Sequence, residues 1–329
     1  MRRPLKNFHY SIENFYNELL KLKTNKFLII KKKLPYESKG FFKRVFISIW
    51  SIFNQNKINH ITGDINFISI FLKKKNNILT ILDLYGLHRL YGIKKYFFKL
   101  IWLTLPIRNS NKIITISEKI KKEILKNFDI KEYNITVIPC TISKIFKKKY
   151  KKINLKNPNI LFVGTAINKN LERSIKALKE LDVKLTIIGE LNESNKKLLK
   201  RNKIKFENYM DQSLKQIYNH YVNCDIVLFP SIYEGFGLPI LEAQAVGRLV
   251  VTSNISPMKE TSGNAAIFVN PYNINDIRNK IISLNQNKKK ISLLIKQGYK
   301  NVERFKIRNL QKQYINIYNS LYESLNSNK

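Results

Sequence analysis

Short runs of β-branched and aromatic residues alternate with stretches of helical periodicity along most of the chain, which is the pattern of parallel sheets covered by helices. In the first half, residues 27–31, 58–61, 78–83, 112–117 and 135–139 read as strands. Amphipathic stretches at 12–22, 41–53 and 93–103 lie among them. Ser117, preceded by Ile116 and followed by Glu118, reads as the cap of a helix that runs to Leu125. A second series opens at 159–164 and continues with strands at 184–189, 226–230, 248–253 and 266–269, and with Phe206 between two of them. Its helices are expected near 171–181, 193–201 and 212–221 and from Pro239 onward. The Lys-rich stretch 144–157 between the two series reads as a surface linker, so the expected organisation is α/β with two doubly wound, Rossmann-like domains at 1–150 and 151–304. At 329 residues, each half is long enough to bury its own core.

Charge and cysteine content bound the partners. Sixty Lys and Arg against 23 Asp and Glu give a formal net charge of +37, a surface that attracts polyanions. The Lys runs at 31–33, 147–152 and 288–290 read as solvated faces. Their functional counterpart is an anionic membrane surface, where each nearby cation contributes about 1 kcal/mol. No zinc finger, aromatic RNA-binding motif or recognition helix accompanies the charge, so a nucleic-acid partner is not expected. The two cysteines, Cys140 and Cys224, indicate neither a disulfide framework nor a zinc site, and a reducing cytoplasm fits them. Residues 1–17 lack the uninterrupted apolar core of a signal peptide. Residues 45–56 are uncharged but far short of the roughly 20 a spanning helix needs. Phe41, Phe42, Phe46, Ile49 and Trp50 recur at helical spacing, a face expected to pack on a sheet, with membrane-interface contact as the alternative.

The stretch 225–260, DIVLFPSIYEGFGLPILEAQAVGRLVVTSNISPMKE, carries the chemistry. Gly235 and Gly237 lie between a strand and a helix, where absent side chains let backbone approach a ligand. Pro239 suits the first helical turn and Gly247 the helix end. A helix start beside such a loop favours a phosphate. Glu234 in the loop and Glu242 a turn into the helix place two carboxylates at the carboxyl edge of the sheet, where doubly wound sheets bind ligands. Carboxylates are poor phosphate partners and good acceptors for sugar hydroxyls, so phosphate charge needs a cation. Lys169, in the first strand-to-helix turn of the same domain, supplies one.

These residues resemble glycosyltransferase family 4, whose members carry two Glu separated by seven residues in an EGFGLPxLEA-like segment. The resemblance extends over residues 164–170, Ser253, Asn254, Pro257, Glu260 and the run 263–271. More weakly, it takes in HITGD at 60–64, TILDL at 80–84 and IITISEKIKKEI at 113–124. It implies a GT-B fold whose two domains face a central cleft, a retaining mechanism, and a C-terminal helix, here 305–329, returning to the first domain. By resemblance Glu242 would bind the ribose hydroxyls, Glu234 the transferred sugar and Lys169 the diphosphate. Gly164 and Thr165 would lie near the phosphates, Gly235, Phe236, Gly237 and Leu238 along the sugar and phosphates, and Asn208, Tyr209 and Met210 beside the base. Glu234 and Asp83 would be the catalytic carboxylates. No metal or other cofactor is implied, and the chain lacks an Asp-x-Asp triplet.

Three departures stand out. Thr165 occupies a place where the family often has Arg. Leu82 precedes Asp83 where many members have His; His60 or His88 could line the cleft instead, although a lone His beside a strand is more often a hydrogen-bonded structural residue. Residues 1–16, MRRPLKNFHYSIENFY, offer no apolar first strand, so the first strand is expected to be short or absent, or the true start to lie upstream. The reading is a retaining transfer of a hexose-type sugar from a nucleoside diphosphate sugar to a hydroxyl of a glycan or lipid-linked acceptor, in bacterial surface polysaccharide synthesis at the cytoplasmic membrane face. The alternative is a subunit of the same fold that binds a nucleotide sugar and turns it over weakly or not at all.

Overall fold

The computed structural model describes residues 1, 16, 17, 19 and 26–327. The expected helix at 12–22 and the N-terminal segment without an apolar strand lie mostly outside them. The described residues form two units, one of residues up to 141 together with 307–327, the other of 142–306.

The first unit holds a four-stranded parallel sheet of β1 (Asn59–Ile61), β2 (Asn77–Ile81), β3 (Lys112–Thr115) and β4 (Ile135–Val137), paired in sequence order. Ile61, Leu79, Ile81 and Ile113 from the strands meet Ile107, Ile120 and Ile124 from the helices in one apolar core. Ser117 caps the helix Glu118–Asn127 by accepting from Ile120 N at 3.3 Å, as its position predicts. The stretch expected as one helix at 93–103 is Gly92–Phe98 continued through a π-helical turn, Lys99–Thr104, into Leu105–Arg108. Pro106 has no N–H to give to the Trp102 carbonyl one turn back. That carbonyl accepts from Asn66 Nδ2 at 3.1 Å instead. The last helix, Ile307–Ser327, belongs to this unit and buries Leu310, Tyr314, Tyr318 and Leu321, a stripe at helical spacing.

Two expectations for this unit are corrected. Residues 27–31 form no strand; their side chains alternate between exposed and half-buried, and they flank a cavity of about 290 Å³ with Asn59, His60, Tyr318 and Tyr322. The helix Phe41–Phe53 forms as expected, but its aromatic face does not pack on a sheet. Ile47, Ser48 and Ser51 point inward, while Phe41, Phe42 and Phe53 are 74%, 86% and 83% exposed.

The second unit is a six-stranded, wholly parallel sheet. Its strands are β5 (Asn159–Val163), β6 (Lys184–Ile188), β7 (Lys205–Tyr209), β8 (Ile226–Phe229), β9 (Leu249–Ser253) and β10 (Ile267–Val269), in the order β10-β9-β8-β5-β6-β7. The inner strands β5, β8 and β9 are buried along most of their length because both faces are covered, whereas the edge strand β7 is polar and partly exposed. Ile160, Phe162, Ile226 and Leu228 enter one core, and Leu161, Val227 and Phe229, the alternate positions, enter the other. The helix Leu238–Val246 packs into the second of these cores through Ile240, Ala243, Ala245 and Val246, and Ile240 through Val246 are all buried. It ends on Gly247 at φ 85°, a left-handed cap that suits glycine.

Arg248 follows directly and is 2% exposed. Its guanidinium donates to the carbonyls of Tyr221 (2.9 Å), Val222 (2.8 Å), Gly247 (3.0 Å) and Lys149 (3.0 Å). It therefore caps the ends of two helices, Leu214–Asn223 and Leu238–Val246, whose last carbonyls have no partner within their own helix. Burial pulls its pKa below the ordinary arginine value. Truncating it strands several buried carbonyls. Arg248→Met is expected to cost about 2 to 4 kcal/mol of stability, read as a lowered urea midpoint at unchanged slope.

Candidate functional site

Strand order in the second unit reverses beside β5. The chain passes from β5 outward to β6 and β7, then returns to the other flank of β5 as β8 and runs outward again to β9 and β10. No crossover helix can cover the carboxyl ends of β5 and β8 at once, and this switch point is where doubly wound sheets leave a crevice. The loops after β5 and β8, the two loops singled out in the sequence, meet there.

Side chains lock the two loops together. Asn168 donates from Nδ2 to the Tyr233 carbonyl at 2.9 Å, and its own carbonyl accepts from Ile232 N at 2.8 Å. Asn170, in a left-handed conformation at φ 68°, donates to the carbonyls of Pro230 (3.0 Å) and Pro271 (2.6 Å). From the far side, Ser253 Oγ donates to the Ser231 carbonyl at 2.6 Å and Thr261 Oγ1 to the Phe236 carbonyl at 2.8 Å. Phe236 also packs edge-on against Phe305 at 5.6 Å. The glycine-rich turn is thus held by fixed partners, as a site that must present backbone to a ligand requires.

Lys169 and Glu234 come together in this frame. Nζ lies 2.7 Å from Glu234 Oε1, with the side chains 20% and 12% exposed. The ammonium also sits 4.8 Å from the centre of the Phe229 ring. Its stem lies over Gly164, where an added Cβ would come within 3.1 Å of Lys169 Cε, and where φ is 87°. The left-handed backbone calls for glycine at 164, and an added Cβ would also crowd the lysine stem. The helix Leu238–Val246 starts beside the pair. Gly237 precedes it at φ 107°, no side chain caps it, and Pro239 stands in its first turn. Its positive dipole end adds to the Lys169 charge.

Glu242, one turn into that helix, is 5% exposed and accepts from Tyr221 Oη at 2.7 Å. Burial first, and the Glu242 carboxylate second, push the Tyr221 phenol well above its ordinary pKa, so it stays protonated and donates. Tyr221 is itself anchored through its carbonyl to Arg248. The carboxylate is therefore aimed by a chain of buried groups.

The remaining expected residues fall as follows. Thr165 packs against Gly189, whose added Cβ would meet Thr165 Oγ1 at 3.0 Å. Asn208 spends its amide on the carbonyls of Ile187 (3.2 Å) and Gly189 (2.7 Å), closing the end of β6. The Tyr209 ring lies tilted against that of His220, centroids 4.4 Å apart, and burial lowers the His220 pKa. Met210 is 54% exposed at the same sheet edge. In the first unit, Asp83 accepts from Tyr85 N at 2.9 Å just beyond β2, an Asx turn that leads into the short helix Tyr85–Arg89. His88 lies 3.5 Å from Glu123. His60 shares one ring nitrogen with Tyr318 Oη and the other with Thr80 Oγ1, both at 2.7 Å, which makes it a tie between β1, β2 and the last helix.

Tyr221, Arg248, Asn168 and Thr261 had no place in the sequence reading of the site. Tyr221 alone left a signal: a buried tyrosine hydroxyl needs a partner, and Glu242 was the carboxylate in want of one.

Residues 143–301 match the family model described as "Glycosyl transferases group 1". O-antigen chain mannosyltransferase B of Escherichia coli is 35% identical over 94 residues, 29% of this chain and 25% of that protein, so the likeness spans only a quarter of the relative's length. Among solved structures, a glycosyltransferase from Rickettsia africae ESF-5 superposes with a TM-score of 0.67 at 22% identity, covering 89% of this chain and 85% of that one. Alr3699/HepE of Anabaena, solved in complex with UDP and glucose, superposes at 0.71 with 13% identity, covering 84% and 81%. At these identities the likeness shows the fold, which is GT-B.

If Tyr221 aims Glu242, Tyr221→Phe should cost about 1 to 3 kcal/mol of unfolding free energy, because a buried carboxylate loses a donor, and weaken binding of any nucleotide ligand of this crevice about tenfold by calorimetry.

Proposed function

We propose, from a chain whose residues 143–301 match the model of the group 1 glycosyl transferases, that the protein moves a hexose-type sugar from a nucleoside diphosphate sugar to a hydroxyl of a glycan or lipid-linked acceptor. The observation that carries the proposal is the pairing of Lys169 with Glu234 at the switch point, next to an uncapped helix start and one turn from Glu242. A cation and a helix dipole suit a diphosphate, and two carboxylates suit the hydroxyls on either side of it. The mannosyltransferase name of the E. coli relative and the UDP and glucose bound by the Anabaena protein support the same substrate class and a place in surface polysaccharide assembly.

In this reading the donor's diphosphate takes Lys169 from Glu234, and the released carboxylate accepts from hydroxyls of the sugar. Glu242 accepts from the ribose. As the glycosidic C–O bond breaks, its electron pair goes to the diphosphate, whose growing charge Lys169 and the helix start stabilise. The acceptor oxygen bonds to the same face of the anomeric carbon and its proton passes to the departing phosphate oxygen, so configuration is retained. Charge neutralisation by Lys169 and backbone leaves no step that calls for a divalent metal.

Calorimetry with a panel of nucleoside diphosphates and their sugars tests the assignment. Glu242→Ala should weaken the nucleotide series that binds by about 1 to 3 kcal/mol. Lys169→Met should weaken the diphosphate about tenfold or more. Glu234→Gln should leave the bare diphosphate within about threefold of wild type, because it removes a competitor for Lys169, yet lower turnover about 100-fold. EDTA should change none of these values. Equal loss of diphosphate binding in Glu234→Gln and Lys169→Met would refute the division of labour. Donor binding without nucleotide release in the presence of acceptors would point to the non-catalytic subunit.

A further inference from the structure

The helix Phe41–Phe53 carries apolar side chains outward as well as inward, unlike a helix on a water-facing surface. Its inward residues include Ser48 and Ser51, whose hydroxyls donate to the carbonyls of Arg44 (2.9 Å) and Ile47 (2.7 Å) one turn back. Outward stand Phe41, Phe42, Val45, Phe46, Ile49, Ile52 and Phe53, every one at least 40% exposed. Burying this set would recover roughly 25 cal/mol for each Å² of apolar surface. A contiguous exposed patch of such size marks an interaction surface.

The surroundings say what covers it. Between residues 26 and 108 there are 16 Lys and Arg and three Asp and Glu. Lys39 and Lys43 are exposed on and beside the helix itself. Arg44 lies 4.6 Å over the ring of Trp102, which brings in the adjoining helical segment Gly92–Thr104. That segment exposes Ile93, Tyr96 and Phe97 beside Lys94 and Lys95. A second copy of so basic a chain would be repelled, and aliphatic Val45, Ile49 and Ile52 offer a nucleic-acid base nothing to pair with. A surface that takes apolar side chains and cations together is the headgroup boundary of an anionic bilayer. No helix among the described residues is long and apolar enough to cross a membrane, so the contact would be interfacial.

We infer that the helix Phe41–Phe53 inserts its aromatic face into an anionic lipid surface, with Lys39, Lys43, Lys94 and Lys95 at the phosphate level. The inference needs no donor and stands apart from the assignment of the second unit. The full chain is floated with vesicles of phosphatidylcholine alone or mixed with phosphatidylglycerol. Wild type should float with the mixed vesicles and far less with the neutral ones. A Phe41→Ser, Phe42→Ser, Phe53→Ser variant, altered only at exposed positions, should keep its circular dichroism and bind about tenfold more weakly or worse. A Lys39→Glu, Lys43→Glu variant should lose the preference for phosphatidylglycerol while the aromatics remain. Three results would overturn the inference: wild type that floats with neither vesicle, a triple variant that binds as wild type does, or a self-association in sedimentation velocity that the triple substitution dissolves.

Discussion

A parallel sheet ends all its strands at one edge, but the crossover helices that return the chain cover that edge only where consecutive strands lie side by side. Between β5 and β8 they do not, because the chain has gone out to β7 and come back. The loops after these two strands therefore face each other without a helix between them. Everything chemical in the second unit depends on that gap. Lys169 and Glu234 are 65 positions apart in sequence, and only the reversal of strand order puts their side chains 2.7 Å apart.

Polar side chains then hold the gap to its shape. Asn168 and Asn170 bind the β8 loop from one side, Ser253 and Thr261 from the other, and each gives its hydrogen bond to a backbone carbonyl. Behind them, Arg248 ties the end of the helix that carries Tyr221 to the end of the helix that carries Glu242. Buried polar groups of this kind specify geometry more than they add net stability, since each exchanges water for protein at small gain and a large cost if a partner is lost. The consequence is a pre-organised turn in which the ligand meets groups that do not have to move, except for the opening of one ion pair.

Much of the frame was legible in the sequence. Nine of the ten strands among the described residues coincide with apolar, β-branched runs, and Gly235, Gly237, Pro239 and Gly247 mark the turn and both ends of the helix where their conformational preferences place them. Less legible was what periodicity does not carry. A row of apolar residues at helical spacing says that a helix has an apolar face; it does not say whether that face meets a sheet or a different medium, so Phe41–Phe53 read as core and proved exposed. Residues 27–31 have strand composition but join neither sheet among the described residues. The partners of Glu234 and Glu242 are tertiary facts, as is the packing of Thr165 on Gly189 and of His60 between Thr80 and Tyr318.

The central claim is that a nucleoside diphosphate binds at the carboxyl ends of β5 and β8. Amide hydrogen exchange of the whole chain, with and without a saturating nucleoside diphosphate, reports on it directly. Protection is expected in residues 164–170 and 235–242, with residues 41–53 unchanged. Saturable binding with protection elsewhere and none in those two loops would contradict it.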